Sequence, residues 1–311
     1  MRKLKRKNKK NSKGEKILIS IISVLIVILI GVIALNINKG RTSEVSVNQN
    51  QKEDNNEIKS NINEEKSNEK ETDSVIYTSY ENDINADNAR DIENMLNKWN
   101  YLREDGKKIA YLTFDDGPSV ETTPKILETL RKNNIKATFF VLGSNVEKSD
   151  TQKELLKEMV KEGHAIGNHG YCHDYSILYP GRVADTTVFI NDMEKSENVM
   201  KSVLGDSFST KVIRFPGGHM SWKTGDLDKV LEQDGYTYID WNVLNGDAES
   251  NGRTVEQLIN RLKETVTDLA GNDDVLVILM HDTDAKVTTA ESLQQSIDYL
   301  KSLGYEFRTL K

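Results

Sequence analysis

Asp115 and Asp116 stand side by side where the apolar run Ile109–Phe114 stops, immediately before Gly117-Pro118. The run has the β-branched and aromatic make-up of a buried strand, and glycine with proline forces a turn. Neighbouring residues of an extended chain point in different directions. One carboxylate can therefore bind a metal while the other handles a proton. Alone, this stretch also fits a strand followed by an ordinary polar turn, so the remaining motifs carry the decision.

His169 and His173 are spaced i and i+4, which predicts a single helical turn with both imidazoles on one face. Neutral imidazole suits zinc, and a carboxylate such as Asp116 from another strand end completes a three-residue set with open positions for water. No glutamate follows the first histidine, so the stretch is not the HExxH pattern. Cys172 is expected off that face as a packed thiol. Arg214 precedes Pro216-Gly217-Gly218 at the end of an apolar run. Its fork of donors suits holding a carboxylate, and the glycines let backbone N–H groups approach a ligand. Asp240-Trp241 places a carboxylate beside an indole, and orienting a histidine is a standard use of such an acid. His281 ends Val275–Met280, the most apolar run of the C-terminal two thirds, and is a candidate general acid or base.

Together these residues fit metal-assisted hydrolysis. Asp116, His169 and His173 would hold the metal, and Asp115 would take a proton from water. His281 would protonate a leaving amine with Asp240 orienting it, and Arg214 would hold Asp115 in place.

The elements that must position these groups alternate in type. Strands are predicted at Ile109–Phe114, Ala137–Leu142, His164–Gly167, Val212–Phe215, Tyr236–Val243, Val275–Met280 and Tyr305–Leu310. Helices are predicted at 122–132, 151–162, 184–203, 225–234, 254–270 and 286–302, with a shorter amphipathic one over Asn88–Asn100. Such alternation implies parallel strands with crossover helices. About seven strands suit a closed or nearly closed α/β barrel, with an open doubly wound sheet as the alternative. In both, sites lie at the carboxyl ends of strands.

The N-terminal third has a different composition. Residues 1–16 carry nine Lys/Arg against Glu15, and the remainder is acidic enough to bring the whole chain to -7. An acidic body excludes a general nucleic-acid-binding surface. Ile17–Leu35 is almost continuously apolar, long enough for the ~30 Å hydrocarbon core. A transmembrane signal anchor is therefore expected over 17–37, with the basic 1–16 in the cytoplasm and the bulk outside. Residues 38–104 read as a linker, disordered over 38–74 and ending in the short helix. The catalytic domain is expected over 105–311. With Cys172 as the single cysteine, no intrachain disulfide can form.

TFDDGP (113–118), the H-x-x-x-H of 169–173, RFPGG (214–218), DW (240–241) and LMH (279–281), in that order, resemble the five motifs of the carbohydrate esterase family 4 polysaccharide deacetylases. The resemblance implies a distorted (β/α) barrel that removes acetyl groups from N-acetylated sugars with one divalent ion, zinc or alternatively cobalt or another transition metal. It implies Asp115 as base, Asp116, His169 and His173 as metal ligands, His281 as acid, and orienting roles for Arg214 and Asp240. It further places Pro216, Gly217, Trp241 and Leu279 against the substrate, Leu279 in an acetyl pocket. Two positions depart from the pattern. Gly170 replaces the usual Ser or Thr whose hydroxyl braces the metal-site loop. Gly217 replaces an aromatic, which keeps a backbone N–H for an oxyanion and loses a side-chain wall.

The expectation is a membrane-anchored extracellular enzyme of a Gram-positive type of surface acting on peptidoglycan, at N-acetylglucosamine or N-acetylmuramic acid. The alternatives are a deacetylase of an exopolysaccharide, a chitin-like polymer or xylan, and a catalytically silent glycan-binding module.

Overall fold

The computed structural model describes residue 77 and residues 79–268 and 273–311. The expected cytoplasmic tail (1–16), membrane span (17–37) and disordered linker (38–74) lie outside the described residues. Among those described, no helix is long and apolar enough to cross a membrane.

In chain order the main elements are β1 (Ala86–Asp87), α1 (Ala89–Asn97), β2 (Ile109–Asp115), α2 (Thr123–Asn133), β3 (Thr138–Val141), α3 (Asp150–Lys161), β4 (Ala165–Asn168), α4 (Thr186–Leu204), β5 (Val212–Ile213), α5 (Gly225–Gln233), β6 (Thr237–Tyr238), β7 (Val243–Leu244), α6 (Val255–Asp268), β8 (Val275–His281), α7 (Val287–Ser302), β9 (Glu306–Phe307) and β10 (Thr309–Leu310). Seven strands run in the order β6-β5-β4-β3-β2-β8-β7, and β9 pairs with the start of β2. All the pairings are parallel. The result is a curled α/β sheet of the distorted-barrel kind.

Alternation along the central strands separates two cores. Ala110, Leu112 and Phe114 of β2, with Leu276, Ile278 and Met280 of β8, pack outward against helix residues such as Ile126, Leu156 and Leu293. Ile109, Tyr111, Val275 and Val277 pack inward with Phe140 and Ile239. Thr113 and Asp115 continue the inward row of β2, and Leu279 and His281 continue that of β8. The register pairs Thr113 with Leu279 and Asp115 with His281, which sets an acid beside a histidine at the carboxyl ends.

The predicted strand over Tyr236–Val243 is two strands. Residues 239–242 leave β5 after Ile239 N–H donates to Ile213 (2.9 Å) and cross to β8. There the Asn242 amide replaces a ladder, donating to Val275 O and accepting from Val277 N–H, each at 2.8 Å. Tyr305–Leu310 is also divided, because β9 pairs with β2 whereas β10 pairs with β1.

The folded body starts before residue 105. Asn88 caps α1 by accepting Arg90 N–H (2.9 Å). Ile92 and Leu96 of α1, and Tyr101 beyond it, belong to the inner core. Arg90 donates to Tyr236 O and Asn97 to the Tyr238 hydroxyl. In this way α1 lies along β6, where the two ends of the curled sheet do not pair.

Candidate active site

Asp115 ends β2 and is 2% exposed. Arg214, fully buried just after β5, donates through Nη1 to Asp115 Oδ1 (2.8 Å) and to the Thr113 hydroxyl (2.7 Å). Its Nε donates to Ile239 O (2.7 Å) and Nη2 to Asp240 O (3.3 Å), and its guanidinium lies 4.2 Å from the Phe140 ring centroid. A buried guanidinium whose donors are spread over four acceptors holds the carboxylate in one orientation. One oxygen of Asp115 is thereby engaged, and Oδ2 faces His169 Nε2 at 3.9 Å.

Asp116 turns away from Asp115 because its φ is +73°, a conformation that costs a non-glycine residue about 1–3 kcal/mol. Its Oδ1 lies 3.4 Å from both His169 Nε2 and His173 Nε2. The three ligating atoms fall within 4.8 Å of one another, and Asp116 Oδ1 is buried with no hydrogen-bond partner. His169 Nδ1 donates to Arg214 O (2.8 Å), which turns the Nε2 lone pair toward Asp116. An orphaned carboxylate oxygen facing two imidazole nitrogens is a donor set that fits a divalent transition ion. Burial disfavours the charged form of Asp116, but the two histidines outweigh it and hold the carboxyl well below the usual range. Burial and the neighbouring His169 push His173 down, toward the neutral form a metal needs.

The histidines do not meet on a helical turn as the spacing predicts. Residues 169–173 form a loop in which Gly170 has φ +82° and His173 φ +49°. Two acceptors brace it. Asn168 Oδ1 takes Gly170 N–H (2.9 Å). Asp192, on α4, takes Tyr171 N–H (2.7 Å) and Cys172 N–H (3.1 Å). A Cβ at Gly170 would sit 2.5 Å from Asp192 Oδ2, so glycine here is the condition for this bracing, in place of a hydroxyl at 170. Cys172 is a half-buried thiol packed beside a cluster containing Phe189 and Phe215, and burial pushes it up to about 11.

His281 is oriented by Asp247, not by Asp240. Asp247 Oδ1 pairs with His281 Nδ1 (2.8 Å), while Oδ2 accepts His281 N–H (2.8 Å) and the Thr289 hydroxyl (2.9 Å). Burial pulls the imidazole down, but the Asp247 hydrogen bond and charge outweigh it and raise His281 to about 9. Asp240 spends its carboxylate on backbone, accepting His219 N–H (2.9 Å) and Met220 N–H (3.3 Å). It fixes the turn after Pro216-Gly217-Gly218.

Pro216 O accepts Trp222 Nε1–H (2.9 Å). The space that a side chain at Gly217 would enter is filled from elsewhere. A Cβ there would lie 3.1 Å from Trp222 Cζ2 and 3.2 Å from the Tyr175 hydroxyl, and the Tyr175 ring sits 5.2 Å from that of His173. Trp241 stands half-exposed beside Gly218, with its ring 5.7 Å from the Arg214 guanidinium. Leu279 is buried on the inward row of β8.

Sequence reasoning missed Asp247, Asp192 and Tyr175. A weak signal existed for Asp247, which follows the apolar strand end Val243–Leu244 by three residues. None existed for Asp192, one polar residue on a long amphipathic helix.

A curled parallel α/β sheet thus carries at its strand ends a buried carboxylate–arginine pair, a His₂Asp cluster that could hold a metal and a carboxylate-oriented histidine, the groups a hydrolase needs. Residues 103–239 match the family described as polysaccharide deacetylase. A peptidoglycan-N-acetylglucosamine deacetylase of Bacillus cereus is 32% identical over 214 residues, covering 68% of this chain and 73% of that protein. The structure of a Streptococcus mutans CE4 esterase superposes with a TM-score of 0.66 at 39% identity, over 73% of this chain and 92% of the other. The catalytic domain of a peptidoglycan N-acetylglucosamine deacetylase from Eubacterium rectale gives 0.56 at 31% identity, over 68% and 91%. The chain belongs to the polysaccharide deacetylase family, carbohydrate esterase family 4, whose members hydrolyse the N-acetyl bonds of glycans.

Proposed function

We propose that this chain deacetylates a cell-wall glycan, with N-acetylglucosamine of peptidoglycan as substrate and N-acetylmuramic acid as the other candidate sugar. The observation that carries the reading is the division of labour between two carboxylates one residue apart. Asp115 is locked by Arg214, and Asp116 faces two imidazoles. The similarity to peptidoglycan-N-acetylglucosamine deacetylases supports the polymer.

Asp116, His169 and His173 would hold one divalent ion, for which zinc suits the donors and cobalt or another transition metal is an alternative. Such an ion, when bound, polarises the acetyl carbonyl and acidifies water. Asp115, with Oδ2 free of Arg214, accepts the proton of the attacking water. The Gly217 N–H meets the developing oxyanion. His281, held charged by Asp247, gives its proton to the amine as the C–N bond breaks and acetate departs. Leu279 packs on the acetyl methyl and Trp241 on the sugar. The basic residues 1–16 and the apolar 17–37 support a single-pass anchor with the catalytic domain outside the cell.

The test is incubation of purified peptidoglycan with the protein, with and without a chelator, followed by acetate measurement and mass analysis of muropeptides. The expected result is chelator-sensitive acetate release with the loss of acetyl on one sugar type. Release only from chitin-like or xylan polymers would move the substrate, and metal binding without any release would argue for a silent module.

A further inference from the structure

Beside the reaction site lies a cavity of about 350 Å³, one side of which is built by residues 96–101, ahead of the stretch that the family match covers. Its walls are Trp99 and Tyr101 from the stretch after α1, Met220, and Gly218, Asp240 and Trp241 from the site's own loops. We propose that this cavity is a glycan subsite for a pyranose one or more units along the chain from the sugar being deacetylated, with Trp99 as its stacking platform. The proposal rests on the deacetylase reading and deepens it.

Three observations support this. First, Trp99 and Met220 are 75% and 76% exposed on opposite loops of one cavity, although large apolar side chains gathered at a concave surface mark binding sites. Second, Trp99 has φ +51°. The turn that ends α1 closes with Trp99 N–H to Leu96 O (3.2 Å) and Asn100 N–H to Met95 O (3.1 Å). Glycine or asparagine normally occupies a left-handed helix terminus, so an exposed tryptophan there bears strain with no compensating burial. Third, Trp241 and Gly218 are shared between this cavity and the site. Trp241 also lies 5.7 Å from the Arg214 guanidinium that holds Asp115, so a polymer with one sugar at Asp115 and His281 would meet this cavity past the Trp241 ring. The chemistry also matches a pyranose. Its axial C–H faces are apolar and suit an indole, while its rim hydroxyls suit the Asp240 carboxylate, which has lone pairs beyond the two N–H groups it accepts.

The experiment compares the full wild-type chain with Trp99→Ala and Trp99→Phe, using β-1,4-linked N-acetylglucosamine monomer, dimer and hexamer as probes. Hexamer binding is measured calorimetrically with chelator present, so that no turnover intervenes, and acetate release is measured separately with metal. Trp99→Ala is expected to weaken hexamer binding about tenfold, the effect of one aromatic stacking contact, to raise KM for the hexamer in parallel, and to leave the monomer unaffected. Trp99→Phe should restore most of the loss. Equal losses on monomer and hexamer, no loss on either, or no hexamer binding by wild type would each overturn the subsite. Trp99-dependent hexamer binding without acetate release from any probe would leave the subsite standing and remove the deacetylase reading instead.

Discussion

Asp247 and His281 show how one hydrogen bond sets a working range. With His281 raised to about 9, the imidazole is protonated across the neutral range, as an acid for a departing amine must be. Activity on acetylated glycan should therefore fall on the alkaline side through about pH 9. In Asp247→Asn the strongest raising influence is gone and burial is opposed only by the charges of Asp115 and Asp116, so the limb should move down from 9 toward the ordinary 6.5, with kcat/KM at pH 8 down by about tenfold. A pH–rate profile of the variant checks this, and an unmoved limb would remove His281 as the acid. The same pair stabilises the fold. A raised histidine contributes fully below 6.5 and loses that contribution as pH rises through about 9. At this scale the sequence was informative where a reactive residue ends an apolar run, as Asp115 and His281 do. It misled at Asp240, because a carboxylate next to an aromatic strand looks like a partner for histidine. Residues 239–242 in fact cross between the sheet's ends and turn Asp240 toward the backbone of 219–220, a tertiary event that no local pattern reports.

Among the elements, the loop of 169–173 and helix α4 act as one piece. The i, i+4 spacing of His169 and His173 does bring the two imidazoles together, but on a loop and not on a helical turn. The pairing is made by left-handed residues at 170 and 173 and by the Asp192 carboxylate beneath them. Asp192→Ala would leave two N–H groups of the loop without their acceptor while removing little apolar packing. Zinc affinity, measured by competition with a chelating dye, should fall about 10–100-fold, the usual cost of losing support behind a ligand, with the melting temperature nearly unchanged. Unaltered affinity would show that Asn168 and the strand ends brace the loop unaided. The strand–helix alternation was legible because the central strands are buried on both faces and read as plain apolar runs. The breaks at 239–242 and at Arg308 were not, since Asp240 and Asn242 alternate with Ile239, Trp241 and Val243, and Arg308 with Phe307, as polar residues on one face of a strand would.

For the molecule as a whole, the boundary of the catalytic body shifts toward the N-terminus. Residues 86–104 looked like the end of a polar linker because their apolar residues are few. Ile92, Leu96 and Tyr101 nevertheless complete the inner core, and β1 adds to β10 through Ala86–Thr309 and Asp87–Leu310. A chain starting at residue 77 should unfold cooperatively in urea. One starting at 105 should be less stable by at least about 3–5 kcal/mol, given about 1.5–3 kcal/mol for each large apolar side chain exposed. Equal urea midpoints would return the boundary to 105.

The seam between β1 and β10 also fixes a direction of approach. Thr309 N–H meets Asn85 O (2.8 Å), and Leu310 N–H meets the hydroxyl of Thr138 at the first residue of β3 (3.0 Å). Residues 85–87 thus lie by the amino ends of the strands, while Asp115 and His281 stand at the opposite rim, at the carboxyl ends. A bulky group attached at the exposed Asn85 therefore meets the face turned away from the site, and leaves the approach of a polymer to Asp115 and His281 open.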